Sequence, residues 1–201
     1  MRIIKVATDD ANAYYEIVSR LKQTHLRYRS ISPGEETDPV NDLVITSRSE
    51  LSKLGANAVA LEDLDKDPLV MEGQLLSRLL EESMRVVLVG IDPGASIGVA
   101  VFYGGQEIGA RTTNLPDRVV DLVIRFATSV PYTSFAVKIG AGEPVLSMKL
   151  ARLLRAGLPW AASVEIVDES GTTSGRRKAT GAARDQRAAA KIAFRKGTLL
   201  N

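Results

Sequence analysis

The sequence predicts an α/β protein in two parts, a small N-terminal α/β domain over residues 1–83 and a larger mixed-sheet domain over residues 84–201. Three observations predict it. Short apolar runs of strand type alternate with segments of helical period along most of the chain. The run from Val86 to Ile91, ending in Asp92, has the unbroken apolarity of a strand buried on both faces. Basic residues gather near the end: residues 170–201 hold eight Lys or Arg against one acid, Asp185, a net +7 that leaves −5 on the rest of a chain whose total is +2. Such a concentration suits a polyanionic partner, although a solvated basic tail has the same composition.

In the N-terminal part, Ile3 to Ala7 reads as a strand, and Thr8, Asp9 and Asp10 are good caps for the helix that follows. Tyr14, Ile17, Val18 and Leu21 recur at helical spacing, which makes Tyr14 a core residue rather than a stacking surface, and Tyr15 and Tyr28 are read the same way. Arg27 to Ile31 is a short strand, broken by Ser32-Pro33-Gly34; Leu43 to Ile45 and Ala58 to Leu61 are further buried strands. The acidic stretch Glu62 to Pro68 reads as a solvated turn, because its spacing fits no calcium loop. Leu75, Leu76, Leu79 and Leu80 then mark a helix running to about Met84.

The second part opens with the Val86 strand, a strand over Ile97 to Phe102, a Gly104-Gly105 hairpin turn and a strand over Glu107 to Thr113. A helix with Val119, Val120, Val123, Phe126 and Ala127 on one side leads to the strand Phe135 to Ile139. A second helix carries Leu146, Leu150, Leu153 and Leu154 and stops at Gly157; the strand Val164 to Asp168, a loop over 170–181 and a last helix over Ala182 to Lys196 complete the order βββαβαβα.

Composition excludes much chemistry. Cysteine is absent and His25 is the single histidine, so thiolate sites, iron–sulfur clusters and histidine-rich metal centres cannot be built. Any metal must be held by carboxylates. No apolar run approaches the roughly 20 residues that cross a bilayer. The early Asp9 and Asp10 do not fit a secretory signal, so a cytoplasmic protein without membrane contact is expected.

Three places offer carboxylates. Asp92 ends the expected central strand in Gly90-Ile91-Asp92-Pro93-Gly94, where open α/β sheets place ligand groups; Asp-Pro-Gly is also a common turn. Asp168-Glu169 ends another strand, and alternation lets only one of the pair face a shared site. Asp185 shares the core-facing stripe of the last helix with Ala188, Ala189 and Ile192, so it needs a partner. Arg184, Arg187, Lys191 and Arg195 form a neighbouring stripe suited to phosphates, about 100° around the helix. Three such acids could hold two divalent cations for phosphodiester hydrolysis.

These motifs resemble a known family. Val89 to Ala100 (VGIDPGASIGVA) is similar to the first strand and turn of the RuvC/YqgF-like branch of the ribonuclease H-like nucleases. Val167 to Thr173 (VDESGTT) resembles the Asp-Glu-x-x-Thr-Thr segment of the YqgF group, and Arg184 to Ala190 (RDQRAAA) its Asp-x-x-Ala-Ala helix. The resemblance covers about residues 85–196, agrees with the βββαβαβα order, and leaves residues 1–83 without a role. It implies a ribonuclease H-like fold and names Asp92, Glu169 and Asp185 as catalytic and metal-binding acids, with Asp168 a substitute metal ligand. Its cofactor would be Mg²⁺ or Mn²⁺. A departure is Lys138, where the RuvC branch carries a glutamate; a lysine there could contact a phosphate or neutralise a carboxylate. Glu143, nearby, is better placed to cap its helix than to replace that acid.

The leading expectation is a divalent-metal-dependent endonuclease, Holliday-junction-resolvase-like, acting on branched DNA or structured RNA. Arg176, Arg177 and Lys178 would grip phosphates together with Lys138, Arg184, Arg187, Lys191 and Arg195. RuvC relatives are dimers and YqgF relatives need not be, so a homodimer is one of two states the resemblance allows. A second expectation is a catalytically weak or inactive nucleic-acid-binding protein of the same fold, with Lys138 its best support. A third, an ATP-binding protein of actin or sugar-kinase type, lacks a second Asp-Gly-Gly phosphate motif.

Overall fold

The computed structural model describes residues 3–38, 41–55, 57–168 and 181–200. The chain forms two compact units, Met1–Glu81 and Glu82–Asn201. Both are α/β, one with a parallel sheet and one with a mixed sheet.

The N-terminal unit runs β1 (Ile3–Val6), α1 (Ala11–Leu21), β2 (Tyr28–Ser30), β3 (Asp42–Thr46), β4 (Ala58–Ala60) and α2 (Pro68–Leu79). Its strands lie in the order β2-β1-β3-β4, all parallel. Asp10 caps α1, its side chain accepting from the Asn12 and Ala13 amides, and Asp67 caps α2 ahead of Pro68 at the first helical turn. That cap accounts for the end of the acidic stretch. The buried stripe of α1 is Ala13, Ile17 and Leu21, so Tyr14 lies beside the core rather than in it: it is 39% exposed, with its hydroxyl 2.8 Å from the Ser30 Oγ. Tyr15 is exposed, whereas Tyr28 packs against the core. Helix α2 ends at Leu79, not near Met84; a single 3₁₀ turn over Glu82–Met84 follows.

The second unit runs β5 (Val86–Asp92), β6 (Ile97–Tyr103), β7 (Gln106–Thr113), α3 (Pro116–Ser129), β8 (Ser134–Gly140), α4 (Pro144–Gly157), β9 (Ala162–Val167), α5 (Ala182–Ala193) and β10 (Thr198–Leu199). The predicted βββαβαβα order is present, and β10 is an addition that periodicity could not reveal in two residues. The sheet order is β10-β9-β8-β5-β6-β7. β5, β8 and β9 are parallel, while β6, β7 and β10 run antiparallel to their neighbours. Gly104 and Gly105, at φ 60° and 82°, make the β6–β7 turn. Helices α3 and α4 cover one face, where Phe126 lies 6.4 Å from both Tyr103 and Phe135. The Tyr103 hydroxyl donates to the Pro131 carbonyl at 2.7 Å, and burial pushes its pKa up to about 12. Two expected core positions are displaced. Leu122 rather than Val120 is buried on α3, and on α4 Ser147 turns inward to bond the Gly140 carbonyl at 2.7 Å while Leu153 is 38% exposed.

Among the described residues helix α5 covers the other face, and its closest approaches are to strand backbone. A Cβ at Gly90 would lie 1.9 Å from the Ala189 carbonyl oxygen, and one at Gly98 would lie 2.2 Å from the Asp185 carbonyl oxygen. Ala189 and Ala193, fully buried, pack there against Ala100 and Phe102. Small residues on both sides thus let helix and sheet approach closely. Gly90→Ala and Gly98→Ala should each cost about 3 kcal/mol or more in urea unfolding, at the top of the overpacking range because the atom met is helix backbone. Gly55→Ala, with nothing within 4 Å of its Cβ, should stay within about 1 kcal/mol of the parent.

Candidate functional site

The registers bring three strand ends to one edge of the second sheet. Ile91 pairs with Ile139, and Gly140 with Val167, so Asp92, Gly140 and Asp168 lie at the carboxyl ends of neighbouring parallel strands. This is the edge where α/β sheets hold ligands. Strand alternation puts Asp92 on the face of Gly90, the face that α5 covers. Asp92 also pairs with Gly98 in the β5–β6 ladder, and Gly98 is the residue on which Asp185 rests. Two of the expected acids therefore converge, although 93 positions separate them in the sequence.

Asp185 is half-buried and finds its partner in the turn after β5: the Ser96 hydroxyl donates to its Oδ2. That bond offsets the desolvation of a carboxylate on the inner side of the helix. Asp168 is exposed just past β9, and its carbonyl accepts from Arg195 Nη1 at 3.4 Å. Glu169, Arg176, Arg177 and Lys178 lie outside the described residues. Among the described residues no group of three or more His, Cys, Asp or Glu side chains is placed to hold a metal ion.

Lys138 lies near the end of β8 and faces a carboxylate. It pairs with Gly90, not with Asp92, so it lies two residues below the site edge. Its ammonium donates to the Arg195 carbonyl beyond the end of α5 and lies 3.6 Å from Glu165 Oε2, with its side chain 15% exposed. The carboxylate it neutralises is thus Glu165, and the carbonyl it takes is a helix-end acceptor that helps stop α5 at Ala193, short of the expected Lys196. A phosphate would have to compete with both partners. Of the basic stripe, Arg184, Arg187 and Lys191 are exposed, while Arg195 is half-buried over Asp168. Glu143 caps α4, accepting from the Leu146 amide at 2.7 Å.

The N-terminal unit contains a site the sequence reading passed over. Glu50, after β3, gathers donors from two strand ends: the Thr8 hydroxyl, the Asp9 amide at 2.8 Å, the Ser47 hydroxyl at 2.6 Å and the Thr46 hydroxyl at 3.3 Å. Hydrogen bonds from Ser47 and then Thr8 hold its pKa down at about 2. It borders an open cleft of about 460 Å³ that also includes Asp9, Glu35, Glu36 and Lys53. The only sequence signal was a run of hydroxyl residues, Thr46-Ser47-Arg48-Ser49, ahead of one acid.

Comparison with known proteins bears mainly on this first unit. Residues 3–72 match the family model of a response regulator receiver-like domain. No curated protein matches the chain. Among solved structures, Argonaute from A. aeolicus is similar at a TM-score of 0.30 and 11% identity, over 84% of this chain. This chain spans 34% of that Argonaute. The DegV family protein Cg2579 from Corynebacterium glutamicum is similar at a TM-score of 0.30 and 13% identity, over 86% of this chain and 91% of its own. Scores this low identify no shared fold. No helix among the described residues is long and apolar enough to cross a membrane.

Because the folded pKa of Glu50 lies below its ordinary 4.5, its stabilisation is complete above about pH 4.5 and disappears as pH falls through about 2. Glu50→Gln should destabilise the protein by about 1.5–3 kcal/mol at pH 7, and the gap from the parent should close in urea unfolding series taken down to pH 2.

Proposed function

We propose that residues 82–201 form a ribonuclease H-like domain of the RuvC/YqgF-like branch that hydrolyses phosphodiester bonds with Mg²⁺ or Mn²⁺. The observation that carries the reading is the convergence of Asp92 and Asp185 across Gly98, at the carboxyl edge of the sheet and within the motifs that resemble that family. The βββαβαβα order supports it as well.

The donor set is oxygen-only, which suits a hard cation that keeps several of its own waters. Asp92 and Asp185 would hold it, with Asp168 at the same edge and Glu169 the next residue along. A divalent cation, when bound, acidifies a water and offsets charge on the phosphate. Ser96 fixes the rotation of the Asp185 carboxylate, so that one oxygen is engaged inward. In the reaction a water oxygen bonds to phosphorus as the bond from phosphorus to the sugar oxygen breaks. Exposed Arg184, Arg187 and Lys191 would hold the flanking phosphates.

A second reading, a catalytically weak nucleic-acid binder, is favoured by one observation: Lys138, a lysine where the resembled RuvC branch carries a glutamate, is engaged by Glu165. Cleavage of labelled four-way-junction DNA and stem-loop RNA separates the two. Metal-dependent cutting should fall at least about 100-fold in Asp92→Asn and in Asp185→Asn. Ser96→Ala should lose about 10- to 100-fold and recover partly at higher Mn²⁺. Salt-sensitive binding without cutting, unchanged in both Asn variants, would establish the binder instead.

A further inference from the structure

We propose that α5 carries a track for single-stranded nucleic acid that ends in a base-stacking platform, with Arg184, Arg187 and Lys191 on the phosphates and Phe194 against an unpaired base. The proposal deepens the nucleic-acid reading above and rests on it. Residues 184, 187, 191 and 194 are spaced by three, four and three positions, so they follow one line along the helix and its C-cap. At 1.5 Å per residue the line is about 15 Å long, which accommodates two or three nucleotides. Its three cations are exposed, and its inner side is occupied by Ala189, Ile192 and Ala193.

Phe194 is the unusual member. An aromatic ring contributes most by burial, yet this one is 60% exposed. It is nonetheless fixed: its centroid lies 4.7 Å from that of Phe102, itself 7% exposed, with the two planes at 75°. A ring held near-perpendicular to its neighbour is oriented without being sandwiched, which leaves surface for a flat partner. Solvent gains nothing from it. A base does, because every base has a π face, and stacking of this kind is tolerant of sequence. Bases within a duplex are already stacked on one another, so the platform selects unpaired nucleotides. At the opposite end of the line, Arg184 is the chain neighbour of Asp185, so a strand lying along α5 leads from the platform to the candidate acids.

The test measures fluorescence anisotropy of a labelled oligothymidylate, and of a duplex containing it, on the full chain without divalent metal and over a range of KCl. Phe194→Leu keeps an apolar group on Phe102 but has no π face. It should weaken oligothymidylate binding about 5- to 100-fold with the salt slope unchanged, and leave duplex binding as it was. Arg187→Ala or Lys191→Ala should instead reduce the slope by about 0.7 each. Phe194→Trp, made with Trp160→Phe so that it is the sole tryptophan, should restore affinity, and its fluorescence should be quenched on binding. Unchanged affinity in Phe194→Leu, an equal loss on the duplex, or a Phe194→Trp variant that neither restores binding nor is quenched overturns the stacking platform while leaving the nucleic-acid reading in place. If the parent protein binds neither probe, both fall.

Discussion

The contact on which the second unit depends is that of a helix with bare strand backbone. Where β5 and β6 come closest to α5 the strand residue is glycine, Gly90 beneath Ala189 and Ala193 and Gly98 beneath Asp185. Remove that allowance and the helix must lift, taking Asp185 away from the end of β5. The carboxylate of Asp185 is tolerable in its half-buried place because Ser96 donates to it, and the far end of the helix is tied to the sheet by Lys138, which is itself balanced by Glu165. The helix is therefore held by polar contacts at both ends and by close packing in the middle.

The first unit uses acids in another way. Asp10 and Asp67 cap helices, Asp42 pairs with Lys5 at 2.7 Å, and Glu50 joins the ends of β1 and β3 through four donors. Each carboxylate organises backbone or hydroxyl groups.

Most strands and helices were legible because burial on both faces of a parallel strand, and on one face of a helix, leaves a period that survives in the sequence. What periodicity misses is choice among neighbours. Tyr14 and Ala13 both fit an inward stripe of α1, and the smaller residue takes it while the hydroxyl of the larger reaches Ser30. On α4, Ser147 could turn inward because two carbonyls await its hydroxyl, displacing Leu153 to the surface. Lys138 shows a different gap. The sequence places it near the end of its strand, and only the register against Gly90 adds that it lies beneath the helix. The convergence of Asp92 with Asp185 was expected from motif resemblance, but the reason for it, Gly98 as a seat for the helix, is a contact between residues 87 positions apart, which no local pattern records. The match of residues 3–72 to the model of a receiver-like domain was equally invisible to a reading that saw a small α/β domain of four strands and two helices without a role.

The seat of α5 also imposes an order of assembly. Ser96 and Asp185 are 89 positions apart, and at ribosomal rates of about 5–20 residues per second roughly five to twenty seconds separate their synthesis. For that interval β5 and β6 can pair and receive α3 and α4 on one face, while the glycine-floored face has no helix to cover it. The acids cannot meet before the last helix arrives, so a nascent chain holds this face open to water and to chaperones until then. The closure entropy of so long a loop is recovered only in one step, when helix, floor and both polar ties form together.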